Sequence, residues 1–320
     1  MVAEARLEEI PYIPSGGRLE IIPLEDGTTK EILLLSFRNR HHRGPIVEEL
    51  LSDSPIAFHG WGVSGVCGRV DRQSQFNKFW ELKEGRPPGS KVPLLEPPKS
   101  ATQHIDWRAV HKDFRYLEDP HALKRLWSSR LPFHLIFPYN TSIRSLSEAV
   151  VTPAFDPIVA PDVPVPTICL FWIGDPAMET MVKDVKNENS SAQLGVSSLN
   201  ESHEIPSFNT RDLIAYLRDR QIYRYNIVVE DPILESLDIA SSHSQIVVPL
   251  VGEEPVWLMK RRGSLSAKGF SKATGFKATE VENVRVASRK VNPKDNLDDK
   301  LVESAKRIRN WYLKALFHLD

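Results

Sequence analysis

The chain has 320 residues, of which 41% are hydrophobic and 26% charged, a balance that excludes global disorder and a fibrous repeat and leaves one large domain or two modest ones. Forty-one Lys and Arg against 42 Asp and Glu give a formal charge of -1, which excludes polyanion binding by bulk charge and makes any basic site local. The two cysteines, Cys67 and Cys169, each stand alone in an apolar stretch, so neither a disulfide framework nor a zinc cluster is expected and a reducing compartment fits best.

The first residues, Met1 to Gly17, carry Glu4, Glu8 and Glu9 and lack the basic, apolar, small-residue order of a signal peptide. No apolar run reaches the ~18 residues that a membrane helix needs, so a cytoplasmic protein without a membrane partner is expected. Residues 1–45 read as an N-terminal extension. Short apolar runs at Ile32–Phe37, Pro55–His59, Phe133–Phe137, Thr167–Ile173, Ile227–Val229 and Gln245–Val251 read as largely buried strands. Helical periodicity marks Gln73–Leu82, Trp107–Trp127, Pro176–Val185 and Thr210–Arg220, the last capped by Asn209 or Thr210. Strands alternating with helices predict an α/β layer architecture. Lys186–Glu204, rich in Ser and Asn, reads as a surface loop broken by a short apolar patch. From Lys260 to Lys277, Lys260, Arg261, Arg262, Lys268, Lys272 and Lys277 occur without an acidic residue and read as a flap or linker. Leu301, Ala305, Ile308, Tyr312 and Leu316 give Leu297–Leu319 the spacing of a docked amphipathic helix.

Several chemistries find no support. Gly62-Val-Ser64-Gly65-Val misses the spacing of a nucleophile elbow by one residue. His41 and His42 lack a third ligand and the i, i+4 spacing of a metal site, so no metal-binding residues are expected, and no Walker-A or dinucleotide-binding glycine motif follows a strand. What remains is an ordered set of polar signals: Lys83-Glu-Gly-Arg86-Pro-Pro-Gly-Ser-Lys91-Val-Pro93, then Ser198-Leu-Asn200-Glu-Ser202, then Ser244-Gln-Ile-Val-Val248, then Arg261-Arg-Gly263.

In this order the four segments resemble the YrdC/Sua5/TsaC family of threonylcarbamoyl-adenylate synthases, which carries Lys-Gly-Arg-Pro, Ser-Ala-Asn-x-Ser, Ser-Thr-Val/Ile-Val and Arg-x-Gly in turn. The resemblance covers Ser54 to Gly263. It implies a YrdC/RibB-like twisted mixed sheet flanked by helices around a basic central cleft, with the domain at 46–265 and a basic linker and amphipathic helix at 266–320. It also implies an ATP-dependent reaction with Mg²⁺, in which an amine or amino acid captures bicarbonate and the carbamate attacks the α-phosphate. Two anions must meet in such a step, so catalysis is by positioning and electrostatic stabilisation without a protein nucleophile. By resemblance Lys83 and Arg86 are the catalytic cations, and Lys91, Ser198, Asn200, Ser202, Ser244 and Arg261 bind the nucleotide. His59, Trp61, Ser64, His134 and Trp172 line the acceptor pocket.

The acceptor half departs from the family. The Pro-Thr-Asp/Glu-Thr-x-Tyr-Gly-Leu turn is replaced by His59-Gly-Trp61-Gly-Val-Ser64-Gly65-Val66, and the arginine after the middle strand by Trp172. Hydrogen-bonding groups thus give way to flat apolar surface, so the enzymatic reading takes two forms: synthesis of threonylcarbamoyl-adenylate, or the same reaction with threonine exchanged for another amine. The alternatives are a non-catalytic module for double-stranded RNA or tRNA, to which Lys260–Lys277 would add phosphate contacts, and a degenerate regulatory homologue.

Overall fold

The computed structural model describes residues 16–24, 26–52, 54–59, 64–72, 74, 76–77, 90–129, 131–142, 146–154, 163–172, 175–199, 209–220, 225–231, 243–286, 298–299, 301, 303 and 306. Their strands are β1 (Arg18–Pro23), β2 (Thr29–Leu35), β3 (Ile56–His59), β4 (Ser64–Arg69), β5 (Leu94–Leu95), β6 (Phe133–Pro138), β7 (Val151–Thr152), β8 (Thr167–Phe171), β9 (Leu194–Ser198), β10 (Ile227–Val229), β11 (Ser244–Val247), β12 (Trp257–Arg262) and β13 (Ala278–Val286). They form a single mixed sheet in the order β1-β2-β10-β3-β4-β9-β5-β8-β6-β11-β12-β13, with β7 added on β8. The α-helices are α1 (Arg43–Leu51), α2 (Pro98–Ala101), α3 (Pro120–Trp127), α4 (Pro176–Glu188), α5 (Thr210–Asp219) and α6 (Ala267–Thr274). The α/β expectation of a large twisted mixed sheet flanked by helices is what the chain adopts.

Strands that the sequence marks as continuous apolar runs are those buried on both faces: every residue of β3, β6 and β8 is buried, as strands covered on both sides require. The helix expected over Trp107–Trp127 is divided. A 3-10 helix spans Lys112–Glu118, and α3 starts afresh at Pro120. Pro120 has no N–H to continue the first helix, and the Asp119 carboxylate accepts from the His121 N–H to cap the second. Asn209 caps α5, accepting from the Asp212 N–H at 2.7 Å.

Three segments differ from expectation. Residues 18–35, read as part of an extension, supply β1 and β2, and β2 runs parallel to β10 inside the sheet. The polar stretch around Leu194–Ser198 is not a surface loop but the central strand β9, paired with β4 and β5. The basic run Lys260–Lys277 is a strand end and a helix: Lys260 is 8% exposed, Arg262 faces Glu280 at 3.7 Å and Lys272 pairs with Asp299 at 2.8 Å. The same segment receives the chain's C-terminal part, where Asp298 accepts from the Ser266 N–H and hydroxyl and Leu301 is fully buried.

Gly195 explains why β9 escapes detection. A Cβ there would stand 2.4 Å from Val70 Cγ1 and 2.9 Å from Val92 Cγ2, so only glycine lets these valines close over the strand. Gly195→Ala is expected to lower stability by about 1–3 kcal/mol, the cost of overpacking a core, read as a shift in the urea midpoint. A midpoint like that of the unaltered protein would mean that the valines have room to move.

The sheet curls enough to bring distant strand ends together. Arg38, just past β2, donates from Nε and Nη2 to Asp231, just past β10, at 3.2 and 2.6 Å. Its Nη2 also reaches Asp175, the N-cap of α4 beyond β8, at 2.9 Å. β10 and β8 are separated by four strands in the sheet order, so this one guanidinium fastens the C-terminal ends of β2 and β10 to that of β8.

Candidate functional site

Of the residues expected in the site, Trp61, Lys83, Arg86, Asn200 and Ser202 lie outside the described residues. The others fall into two groups. The first collects where β3 and β9 end and β4 begins. His59 and Ser64 stand opposite each other across β3 and β4, and Gly65 stands opposite Ser198. The Ser64 carbonyl accepts from Leu199 N–H at 2.8 Å. Lys91 enters beside them, since Pro93 O, two residues on, accepts from Val196 N–H.

His59 is 2% exposed and Ser64 fully buried, and among the described residues neither the His59 ring nitrogens nor the Ser64 hydroxyl has a hydrogen-bond partner. Burial pulls the His59 pKa down to about 4, so the ring is neutral. The folded value lies below the ordinary 6.5 of the unfolded chain, so stability is complete above about pH 6.5 and is lost as the pH falls toward 4. At about 1.4 kcal/mol per unit the drop is roughly 3 kcal/mol. A urea titration from neutral to acid pH should show this contribution as a shallower slope in His59→Met, the remaining slope including that of His134 and His243; an equal slope in both proteins would contradict a neutral buried ring.

The second group lies across β8, β6, β11 and β12. Gln245 stands opposite His134 on one side and Arg261 on the other, and His134 meets Phe171 edge to face at 5.2 Å. Phe171 is in register with Leu95. Arg261, Gln245, His134, Phe171 and Leu95 therefore form a row on one face of the sheet. Leu94 is opposite Gly195, so by alternation Leu194, Val196 and Ser198 point to that same face. Ser198 and Arg261 are thereby on one side.

Ser244 points the other way. It is paired with Phe133, whose ring packs on Phe270 of α6. Its hydroxyl is fully buried, donates to Leu265 O at 2.7 Å and accepts from Gly263 N–H at 2.9 Å. These bonds hold the turn after Arg261 against the start of β11, so the hydroxyl positions the Arg261 strand end. Trp172 is 1% exposed with its indole N–H unpaired, a large buried ring behind the end of β8.

Sequence reasoning missed His243. Its Nδ1 lies 3.0 Å from His134 Nε2, and its ring lies 5.3 Å from that of Phe171. Burial first, then the charge of Arg261, holds the His243 pKa at about 3. Burial, His243 and Arg261 together hold His134 well below its usual value. Cys169, on the same face, has its thiol pushed up to about 12 by burial, and burial also raises Cys67. Neither is a nucleophile at neutral pH. Among the described residues no cluster of His, Cys, Asp or Glu has the makings of a metal site, and no helix is long and apolar enough to cross a membrane.

A separate open groove of about 1130 Å³ lies between the β1–β2 hairpin and α1, lined by Lys30, Glu31, Glu48, Glu49 and Asn226 among others. Three carboxylates against one ammonium make it unsuited to a polyanion.

No protein-family model and no curated protein matches the sequence. Its fold does resemble solved structures. A hypothetical protein from Streptococcus mutans is 10% identical over 78% of this chain and 97% of that one, with a TM-score of 0.50. Sua5 of P. abyssi, solved with L-threonine, is 14% identical over 77% of this chain and 62% of its own, with a TM-score of 0.47. E. coli YciO is 10% identical over 72% and 93%, with a TM-score of 0.45. This chain thus spans about three fifths of the P. abyssi Sua5 chain. At such identities the likeness is one of fold: the chain folds as a large twisted mixed sheet flanked by helices, and its solved structural neighbours include Sua5 and YciO.

Proposed function

We propose that the chain is a YrdC-like nucleotide-binding enzyme that condenses an amine or amino acid, bicarbonate and ATP into a carbamoyl-adenylate, with an acceptor other than threonine. The observation that carries this reading is that Ser198 and Arg261, 63 positions apart in the sequence, point to one face of the sheet. On this reading Lys91 and Ser198 meet the phosphates from the β9 side and Arg261 from the β12 side. The resemblance assigns Lys83, Arg86, Asn200 and Ser202, which lie outside the described residues, to the same ligand. Mg²⁺ accompanies ATP as its counter-ion and offsets the charge of the triphosphate beside the carbamate. Ser244 serves indirectly, by fixing the turn that follows Arg261.

The acceptor side is built from Trp61, His59 and Ser64 at the β3–β4 end, whereas His134 stands with Arg261 on the nucleotide side. His59 and Ser64 bring buried polar atoms without partners, and a substrate with its own donors and acceptors would satisfy them. Trp172 supports the wall from behind.

The direct test is to incubate the purified full chain with ATP, Mg²⁺, bicarbonate and a panel of amines and amino acids, and to measure pyrophosphate. Release that needs both bicarbonate and one particular amine is the expected result. Absence of ATP binding and of pyrophosphate with every acceptor would overturn the enzymatic reading. Of the six cations in Lys260–Lys277, Lys260 is buried and Arg262 and Lys272 face acids, while Lys268 and Lys277 are exposed and would serve the alternative of an RNA-binding module.

A further inference from the structure

Beside Arg261, the buried His134 and the half-buried His243 bond to each other, and among the described residues their rings have no other hydrogen-bond partner. His134 and His243 share one hydrogen between Nε2 and Nδ1 at 3.0 Å, and their rings meet at 4.8 Å. The outer nitrogens, His134 Nδ1 and His243 Nε2, are buried and have no hydrogen-bond partner among the described residues. A neutral pair of this kind has one N–H and one lone pair left over, whichever way the shared hydrogen points. Apolar packing does not call for two imidazoles here: each ring already lies against Phe171, and a second phenyl or an aliphatic side chain would pack there without stranded polar atoms.

We propose that the His134–His243 pair completes an oxyanion subsite with Arg261, and takes up a proton from solvent when a phosphate-type anion binds there. The inference rests on the reading that places the triphosphate at Arg261. Among the described residues, the titratable or charged groups facing the pair are Arg261 from β12 and Cys169 from β8, the latter a neutral thiol; the neighbour from β11 is the uncharged Gln245. Without a ligand, burial and the Arg261 charge both keep the pair neutral. An anion on Arg261 reverses the second cause and offers an acceptor to an unpaired ring nitrogen, so the pair's affinity for a proton rises. Linkage makes the effect reciprocal: binding draws in a proton, and a lower pH tightens binding. No covalent bond is made or broken, and the proton comes from bulk water.

The test is calorimetric titration of the full chain with inorganic pyrophosphate and with ATP, in buffers of different ionisation enthalpy and over a range from neutral to mildly acid pH. The ligand's own protonation is common to all proteins compared. The unaltered chain is expected to take up a larger fraction of a proton than His134→Asn or His243→Asn, and to bind several-fold more tightly for each step down in pH, whereas the variants gain less. In the unaltered chain, the imidazole carbon resonances of both histidines should move toward the charged form when ligand is added, a readout that does not depend on any variant folding. Binding with equal proton uptake in all three proteins and unmoved imidazole resonances would overturn the proposal while leaving the nucleotide site standing. Failure of the unaltered chain to bind either ligand would overturn the nucleotide reading and this subsite with it.

Discussion

Arg38→Ala is expected to cost the protein about 3–5 kcal/mol of stability, the loss seen when one partner of a buried ionic group is removed. The guanidinium is 19% exposed and the carboxylates of Asp175 and Asp231 are each 6% exposed. Its removal leaves two nearly buried carboxylates facing each other with the intervening cation gone, and releases the tie between the C-terminal ends of β10 and β8. Arg38→Lys should recover only part of the loss, because an ammonium cannot make the two-nitrogen contact to Asp231 and still reach Asp175. Urea unfolding of the three proteins measures this. A deficit below about 1 kcal/mol, the level of an exposed ion pair, would mean that the curl of the sheet does not depend on the clamp.

Arg86→Ala is expected to weaken ATP binding by about a hundredfold or more, equivalent to losing charge-assisted bonds to a phosphate of some 2.7 kcal/mol, with the thermal midpoint unchanged. The side chain belongs to a polar, proline-rich stretch, Lys83 to Pro93, and not to an apolar strand, so its removal should leave the core intact. Calorimetry with ATP and a melting curve distinguish the outcomes. An unfolded variant, or one that is folded and binds ATP as before, would remove Arg86 from the site.

The parts of this fold that the sequence discloses are those where burial dictates residue type. β3, β6, β8 and β10 are apolar on both faces and stand out as runs of Ile, Val, Leu and Phe. β9 hides because its position demands the opposite: Gly195 must be small under Val70 and Val92, and Ser197 and Ser198 end the strand at the candidate site, so Leu194–Ser198 has the composition of a loop. β12 hides because its final turn bears Lys260, Arg261 and Arg262, a charge run that looks solvated, although alternation sends Arg261 to one face and Arg262 toward Glu280 on β13.

For the site, the order of the polar segments is legible, but the faces are not. Ser244 lies within a strand's length of Arg261 in the sheet and yet points away from it, its hydroxyl committed to Gly263 and Leu265. His243, one residue earlier, becomes visible only once β6 and β11 are known to be parallel neighbours, with Ser244 opposite Phe133. Nothing local in the sequence announces that His134 and His243, 109 positions apart, will touch.

A crystal structure of the full chain grown with ATP and Mg²⁺ tests the central claim most directly. The phosphates should lie on the face shared by Ser198 and Arg261, within hydrogen-bond reach of the Arg261 guanidinium. A nucleotide bound instead in the groove between the β1–β2 hairpin and α1, or on the Ser244 side of the sheet, would contradict it.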